Sequence, residues 1–107
     1  MSNSGIVSVY MIFASDDEAE TIGRTLIEER LAACINILGE TRSIYRWHGR
    51  IETANEVAAI AKTTASMADA LVRRVVELHS YDNPALTVWP VDEAPASYVQ
   101  WVRSEMR

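Results

Sequence analysis

The sequence predicts an α+β fold: a four-stranded antiparallel sheet, two main helices on one face, and a short closing helix near the C-terminus. Two observations carry this. Apolar, β-favouring stretches alternate with stretches whose apolar residues recur at three- and four-residue spacings, in the order strand, helix, strand, strand, helix, strand, helix. The two halves, about residues 5–51 and 56–91, share one strand–helix–strand plan, which is the split βαβ, ferredoxin-like arrangement. With 107 residues, the chain is expected to be one domain, residues 1–107, large enough for a single core and too small for two.

Gly5 to Ala14 reads as the first strand. Ile6, Val7, Val9, Tyr10, Met11, Ile12 and Phe13 form a near-continuous apolar run, as in a strand covered on at least part of both faces. Ser15-Asp16-Asp17-Glu18 has the composition of a capping box. The Ser15 hydroxyl accepts from the third helical N–H, and Glu18 reaches back to the cap N–H. Asp16 and Asp17 place negative charge where the helix dipole favours it. Ala19, Ile22, Leu26, Ile27 and Leu31 then form one buried stripe.

Ala32 to Ile51 is a second extended region, with a bulge or bend at Gly39-Glu40 and a turn at His48-Gly49. Glu56 to Thr64 reads as the third strand, with Ala58, Ala59 and Ala61 inside it. Thr64 or Ser66 caps the second helix, whose stripe is Ala68, Leu71, Val72, Val75 and Leu78. Tyr81-Asp82-Asn83-Pro84 is turn chemistry, and Leu86 to Val91 is the fourth strand. Pro95 fits the first position of a closing helix carrying Tyr98, Trp101 and Val102. The second extended region is too long for a compact four-stranded sheet. Its overhang leaves an open edge, so a homo-oligomer is expected.

Ten basic and fifteen acidic residues give a net charge of -5, so nucleic acid is not an expected partner. No apolar run approaches the roughly 20 residues of a membrane helix, so no membrane association is expected. Met1 to Gly5 lacks a basic, apolar and small-residue leader pattern, so the expected compartment is the cytoplasm. The single cysteine, Cys34, excludes an internal disulfide and a Cys-x-x-Cys redox pair. The four glycines are isolated, and neither a Gly-x-Ser-x-Gly nor a His-Glu-x-x-His pattern occurs. No base, nucleophile and oxyanion arrangement can be named, so an enzyme is not expected.

The chemistry therefore rests on single residues, each with a plain structural reading beside a functional one. His79, at the end of the second helix, is either a dipole-favoured C-terminal histidine or a metal ligand, with Asp82 able to orient its ring. Cys34 is either a small buried hydrophobe or a soft thiolate ligand for copper(I) or zinc. Lys62 and Glu56 lie on one strand face, because six is even. Lys62 is either a strand-end charge reaching solvent or a cleft cation for an anionic ligand. His48 reads as an exposed turn residue. Trp47, Trp89 and Trp101, with Tyr45 and Tyr98, read as core or interface residues.

Several segments together resemble the CutA family of divalent-cation tolerance proteins. Glu29-Arg30-Leu31-Ala32-Ala33-Cys34-Ile35-Asn36 resembles its E-x-L-A-A-C-x-N stretch, and Ser43 to Ile51 its S-x-Y-x-W-x-G-x-I/L segment. Glu56 with Lys62-Thr63-Thr64 matches E-x5-K-T. His79-Ser80-Tyr81-Asp82-Asn83-Pro84 resembles H-P-Y-E/D-x-P, and Tyr98 and Trp101 match its closing pair. The resemblance runs from about Val7 to Arg103 in the same order. It implies a ferredoxin-like subunit in a tight homotrimer whose long second strands pair across subunits, and binding of copper or other divalent ions. It also implies architectural kinship with PII regulatory proteins. On that alternative, Lys62, Tyr81, Glu56, Trp47 and Asp82 line or support inter-subunit clefts for a small anionic effector. The sequence departs from the family at Ser80, Leu78, Met11 and His48, which leaves His79 as the metal ligand with the Met11 thioether as a helper.

Overall fold

The structure, a computed structural model, describes residues 3–106. Seven elements follow in order: β1 (Ile6–Phe13), α1 (Asp16–Glu28), β2 (Cys34–Trp47), β3 (Arg50–Thr64), α2 (Ala68–Leu78), β4 (Leu86–Pro90) and α3 (Ala96–Glu105). The strands form one antiparallel sheet in the order β2-β3-β1-β4. Alternation along β1 sends Val7, Val9, Met11 and Phe13 toward the two helices, where they pack with Leu26, Leu71 and Val75. Ala59 and Ala61 on β3 keep that face low, so the helices sit close to the sheet. Gly23 does the same from α1, where a Cβ would come within 3.0 Å of Ile35 Cγ2. At one end of the opposite face, Val99 and Val102 of α3 cover Ile6 and Ala33.

Ser15 caps α1 as its composition predicts, accepting from the Glu18 N–H at 3.1 Å. Glu18 differs from a capping box. Its Oε1 accepts from the Ala14 N–H at 2.9 Å, one residue before the cap, and its Oε2 from the Ser80 N–H at 2.8 Å. The carboxylate thus ties the start of α1 to the loop that follows α2. Burial works to raise its pKa. The hydrogen bonds from Ala14 and Ser80 outweigh this and hold it below the ordinary value of 4.5.

The helix ends earlier than the apolar stripe suggests. Arg30 takes a left-handed φ of 58°, and the Leu31 N–H returns to the Leu26 carbonyl at 2.9 Å. This Schellman-type ending delivers Leu31 to the core from outside the helix and leaves Ile27 exposed. Two other caps also differ. A single 3-10 turn, Ala65–Met67, precedes α2, and the Thr64 hydroxyl pairs with that of Ser66 at 3.2 Å rather than capping the helix. Pro95 stands just before α3, where its carbonyl accepts from the N–H groups of Tyr98 and Val99, both at 3.0 Å. The fourth strand ends at Pro90, one residue sooner than its apolar pattern suggests.

The largest departure is at the third strand, which begins at Arg50 and not at Glu56. His48 and Gly49 both have positive φ, 50° and 78°, which is the signature of a two-residue type I′ turn. Such a turn leaves no slack, so Trp47 pairs with Arg50 at once and the ladder continues to Cys34 opposite Lys62. The expected bulge is present. The register shifts between Ile37 and Gly39, and Gly39 has a φ of 108°. Strand β1 begins pairing with β3 only at Phe13 opposite Val57. Residues 50–56 and their β2 partners therefore project as a two-stranded arm, and the molecule measures 45 × 26 × 22 Å. Ile44 and Ile51 on the arm are each 71% exposed, and Trp47 is 52% exposed. Among the described residues no helix is long and apolar enough to cross a membrane.

Two predictions follow from the anchoring of α1. Because Glu18 is depressed below 4.5, its contribution to stability is present above that value and lost as pH falls through the lower, folded-state value. Glu18→Gln is therefore expected to flatten the acid limb of stability, read by urea unfolding between about pH 6 and about pH 3. Equal slopes in both proteins would assign the acid sensitivity elsewhere. Ser15→Ala is expected to cost about 1 kcal/mol in the same assay at neutral pH.

Candidate functional site

At the base of the arm lies a hollow of about 730 Å³, lined by β1, the arm and the loop after α2. Tyr10 and Ile12 come from β1, Ser43, Tyr45 and Trp47 from β2, and Tyr81, Asp82 and Asn83 from the loop. Glu56 sits at the junction, beside the first β3 residue that pairs with β1. It is only 8% exposed, and its Oε2 accepts from the Tyr81 hydroxyl at 2.7 Å. Burial, then this hydrogen bond and the Glu56 charge, push the Tyr81 pKa up to about 12. The Tyr81 hydroxyl therefore keeps its proton and donates it to Glu56. Among the described residues no basic side chain forms an ion pair with Glu56. Arg42 also borders the hollow. It pairs in register with Asn55, so strand alternation turns it to the opposite face of the arm from Glu56 and Thr41.

His79 lies beneath the loop with its side chain fully buried. Its Nδ1 accepts from the Tyr81 N–H at 3.0 Å. A backbone amide can only donate, so the neutral ring carries its proton on Nε2, which donates to the Ile12 carbonyl at 2.7 Å. The ring also stacks on Phe13, with centroids 5.3 Å apart, and Glu18 Oε1 lies 4.0 Å from Nε2. The Tyr81 and Ile12 backbones thus orient this ring, the part anticipated for Asp82. As placed, the ring offers no free lone pair. A metal at Nδ1 would have to displace the Tyr81 amide. Met11 is fully buried in the core. Among the described residues no group of three or more His, Cys, Asp and Glu side chains could hold a metal ion.

Of the residues singled out from the sequence, Glu56, Tyr81, Asp82 and Trp47 meet around the hollow. Lys62 does not. It shares their sheet face but stands six residues from Glu56, about 20 Å along an extended strand. It pairs in register with Ser8 and Cys34. Cys34 is half-buried, with Sγ 3.7 Å from the Tyr98 hydroxyl. Burial, then this contact, push the Tyr98 pKa up to about 12. His48 is exposed at the tip of the arm, its ring edge-on to Trp47. Sequence reading missed Tyr10, which borders the hollow and stacks on Trp89 with centroids 5.1 Å apart. Strict alternation in β1 carried the signal, since Tyr10 falls between Val9 and Met11 and so faces away from the helices.

Comparison with known proteins agrees with this architecture. The family model described as CutA1 divalent ion tolerance protein matches residues 7–105. The divalent-cation tolerance protein CutA of Pyrococcus horikoshii is 40% identical over 95% of this chain and 99% of its own length. Its counterpart from Thermus thermophilus is 39% identical over 89% of this chain and 92% of its own length. A crystal structure of CutA from Xylella fastidiosa, 33% identical, superposes with a TM-score of 0.94 over 96% of this chain and 99% of that one. With the family model covering nearly the whole chain, this protein belongs to the CutA1 divalent ion tolerance family.

Proposed function

We propose that the protein works as a homotrimer of ferredoxin-like subunits that binds divalent metal ions, copper among them, and takes part in the response to them. The metal donors come from more than one subunit, and the role is binding rather than catalysis. The exposed arm is the observation that carries this reading. A two-stranded ribbon alone is marginal in water, yet this one extends beyond the sheet with Ile44, Ile51 and Trp47 uncovered. A neighbouring subunit against those side chains removes apolar surface from water and stabilises the ribbon. Family membership supports a divalent cation as the ligand. The lack of a three-donor cluster among the described residues supports pooling of donors between subunits.

A PII-like trimer binding a small anionic effector is the competing reading. The hollow has a suitable size for a small molecule. Its carboxylates, Glu56 and Asp82, oppose an anion, and Lys62 does not border it.

Native mass spectrometry with elemental analysis of the untagged protein tests the metal reading. A species of three chains that takes up copper is expected. Ile44→Asp with Ile51→Asp is expected to dissociate the assembly and to lose copper with it. His79→Ala is expected to keep the copper stoichiometry while lowering stability, because the ring is occupied by backbone partners. A dissociated variant that holds copper at the original ratio per chain would end the shared-donor reading. Loss of copper in His79→Ala would return the ligand role to that imidazole.

A further inference from the structure

Glu56 and Lys62 are opposite charges on one face of β3, and among the described residues neither side chain has an ion-pair partner. Glu56 is only 8% exposed and Lys62 is half-buried. Six residues of extended strand, about 20 Å, keep the two from meeting within one subunit. A charge withdrawn from water without a counter-charge is destabilising, so each of these positions is incomplete in the single chain. Other bases of the chain do not complete Glu56. Arg24, Arg30 and Arg74 are paired with Glu20, Glu105 and Glu29. Arg42 pairs in register with Asn55, which turns it to the other face of the arm. Arg50 shares the Glu56 face, but it is exposed at the arm tip, where water solvates it. The two unmatched charges shielded from water on this sheet face are thus opposite in sign.

We propose that Glu56 receives Lys62 of the partner subunit, so that the hollow at the base of the arm is a socket filled by a second copy of this chain. The ammonium donates to Glu56 Oε1, the oxygen that the Tyr81 hydroxyl leaves without a donor among the described residues. The four-carbon stem lies against Tyr45 and Trp47, which border the hollow. Tyr81 acts as a positioning residue. Its hydroxyl holds Glu56 Oε2 at 2.7 Å, and its own N–H is tied to the buried His79 ring. One strand face carries both the acid and the base, at separate places. Each subunit therefore gives its lysine to one neighbour and takes a lysine from the other, a head-to-tail contact that closes as a ring of three. This inference rests on the homotrimer reading and adds to it the charge pair that sets how one subunit docks on the next.

The test is a charge exchange read by native mass spectrometry of the full-length protein over a dilution series, with circular dichroism as the check on folding. Lys62→Glu sets two carboxylates against each other. It is expected to raise the concentration at which half the assembly dissociates by about a hundredfold or more. Glu56→Lys is expected to do the same with two ammonium groups. The double variant, Lys62→Glu with Glu56→Lys, restores opposite charges and is expected to recover about tenfold or more of that loss. Arg50→Gln is expected to shift the midpoint by less than about threefold, as for an exposed charge. A double variant no tighter than the single ones would overturn the pairing, and so would a loss confined to Arg50→Gln. A wild-type protein that stays a single chain at every concentration would instead end the homotrimer reading, and the pairing with it.

Discussion

The two-residue turn at His48-Gly49 is the constraint on which the rest of the molecule depends. With both residues at positive φ, it locks β2 to β3 in a single register, and every later pairing is measured from it. A one-residue slip would turn the faces of one strand over relative to the other. Thr41 and Glu56, opposite each other in the observed register, would then no longer share a face. The Gly39 bulge shifts the register once more, opposite Ala58 and Ala59, just inside the part of β3 that pairs with β1. Together the turn and the bulge separate the hairpin into a packed half and a free arm.

The free arm and the hollow are two consequences of the same mismatch in length. β1 is eight residues long and β3 is fifteen, so about half of β3 runs past its central partner. The hollow forms where that support ends. Glu56 is buried there because the Tyr81 hydroxyl and the surrounding rings replace the water that a surface carboxylate would keep. Tyr81 is held in turn by His79, and His79 by the Ile12 carbonyl and Phe13. Glu18 completes the sequence of contacts from the start of α1 through the Ser80 amide. A chain of short-range bonds thus joins the first helix to the wall of the hollow. Of its members, Glu56 and His79 are buried, Glu18 and Tyr81 are half-buried, and Ser80 is exposed.

The family assignment and the local geometry answer different questions. Membership in the divalent ion tolerance family identifies the lineage and the fold of this chain. The donors among the described residues do not by themselves make a metal centre, and the buried His79 imidazole is bonded to backbone through both ring nitrogens.

What the sequence by itself determined is whatever depends on neighbours within a few positions. The alternation of Val7, Val9, Met11 and Phe13, the Ser15 cap, the helical stripes and the His48-Gly49 turn are all local, so the α+β order and the turn were legible. The clustering of Trp47, Glu56, Tyr81 and Asp82 was legible only through motif resemblance, because three separate segments supply it. Tertiary structure alone decided three things. Glu18 bonds to Ala14 and Ser80 rather than to its own cap, because the loop after α2 arrives from 62 residues away. The third strand begins at Arg50, because the tight turn lets pairing with β2 outweigh the weak β preference of Ala54 and Asn55. His79 became a buried strut, because a ring nitrogen enclosed by protein bonds to the nearest amide or carbonyl, and its sequence does not say which groups those are.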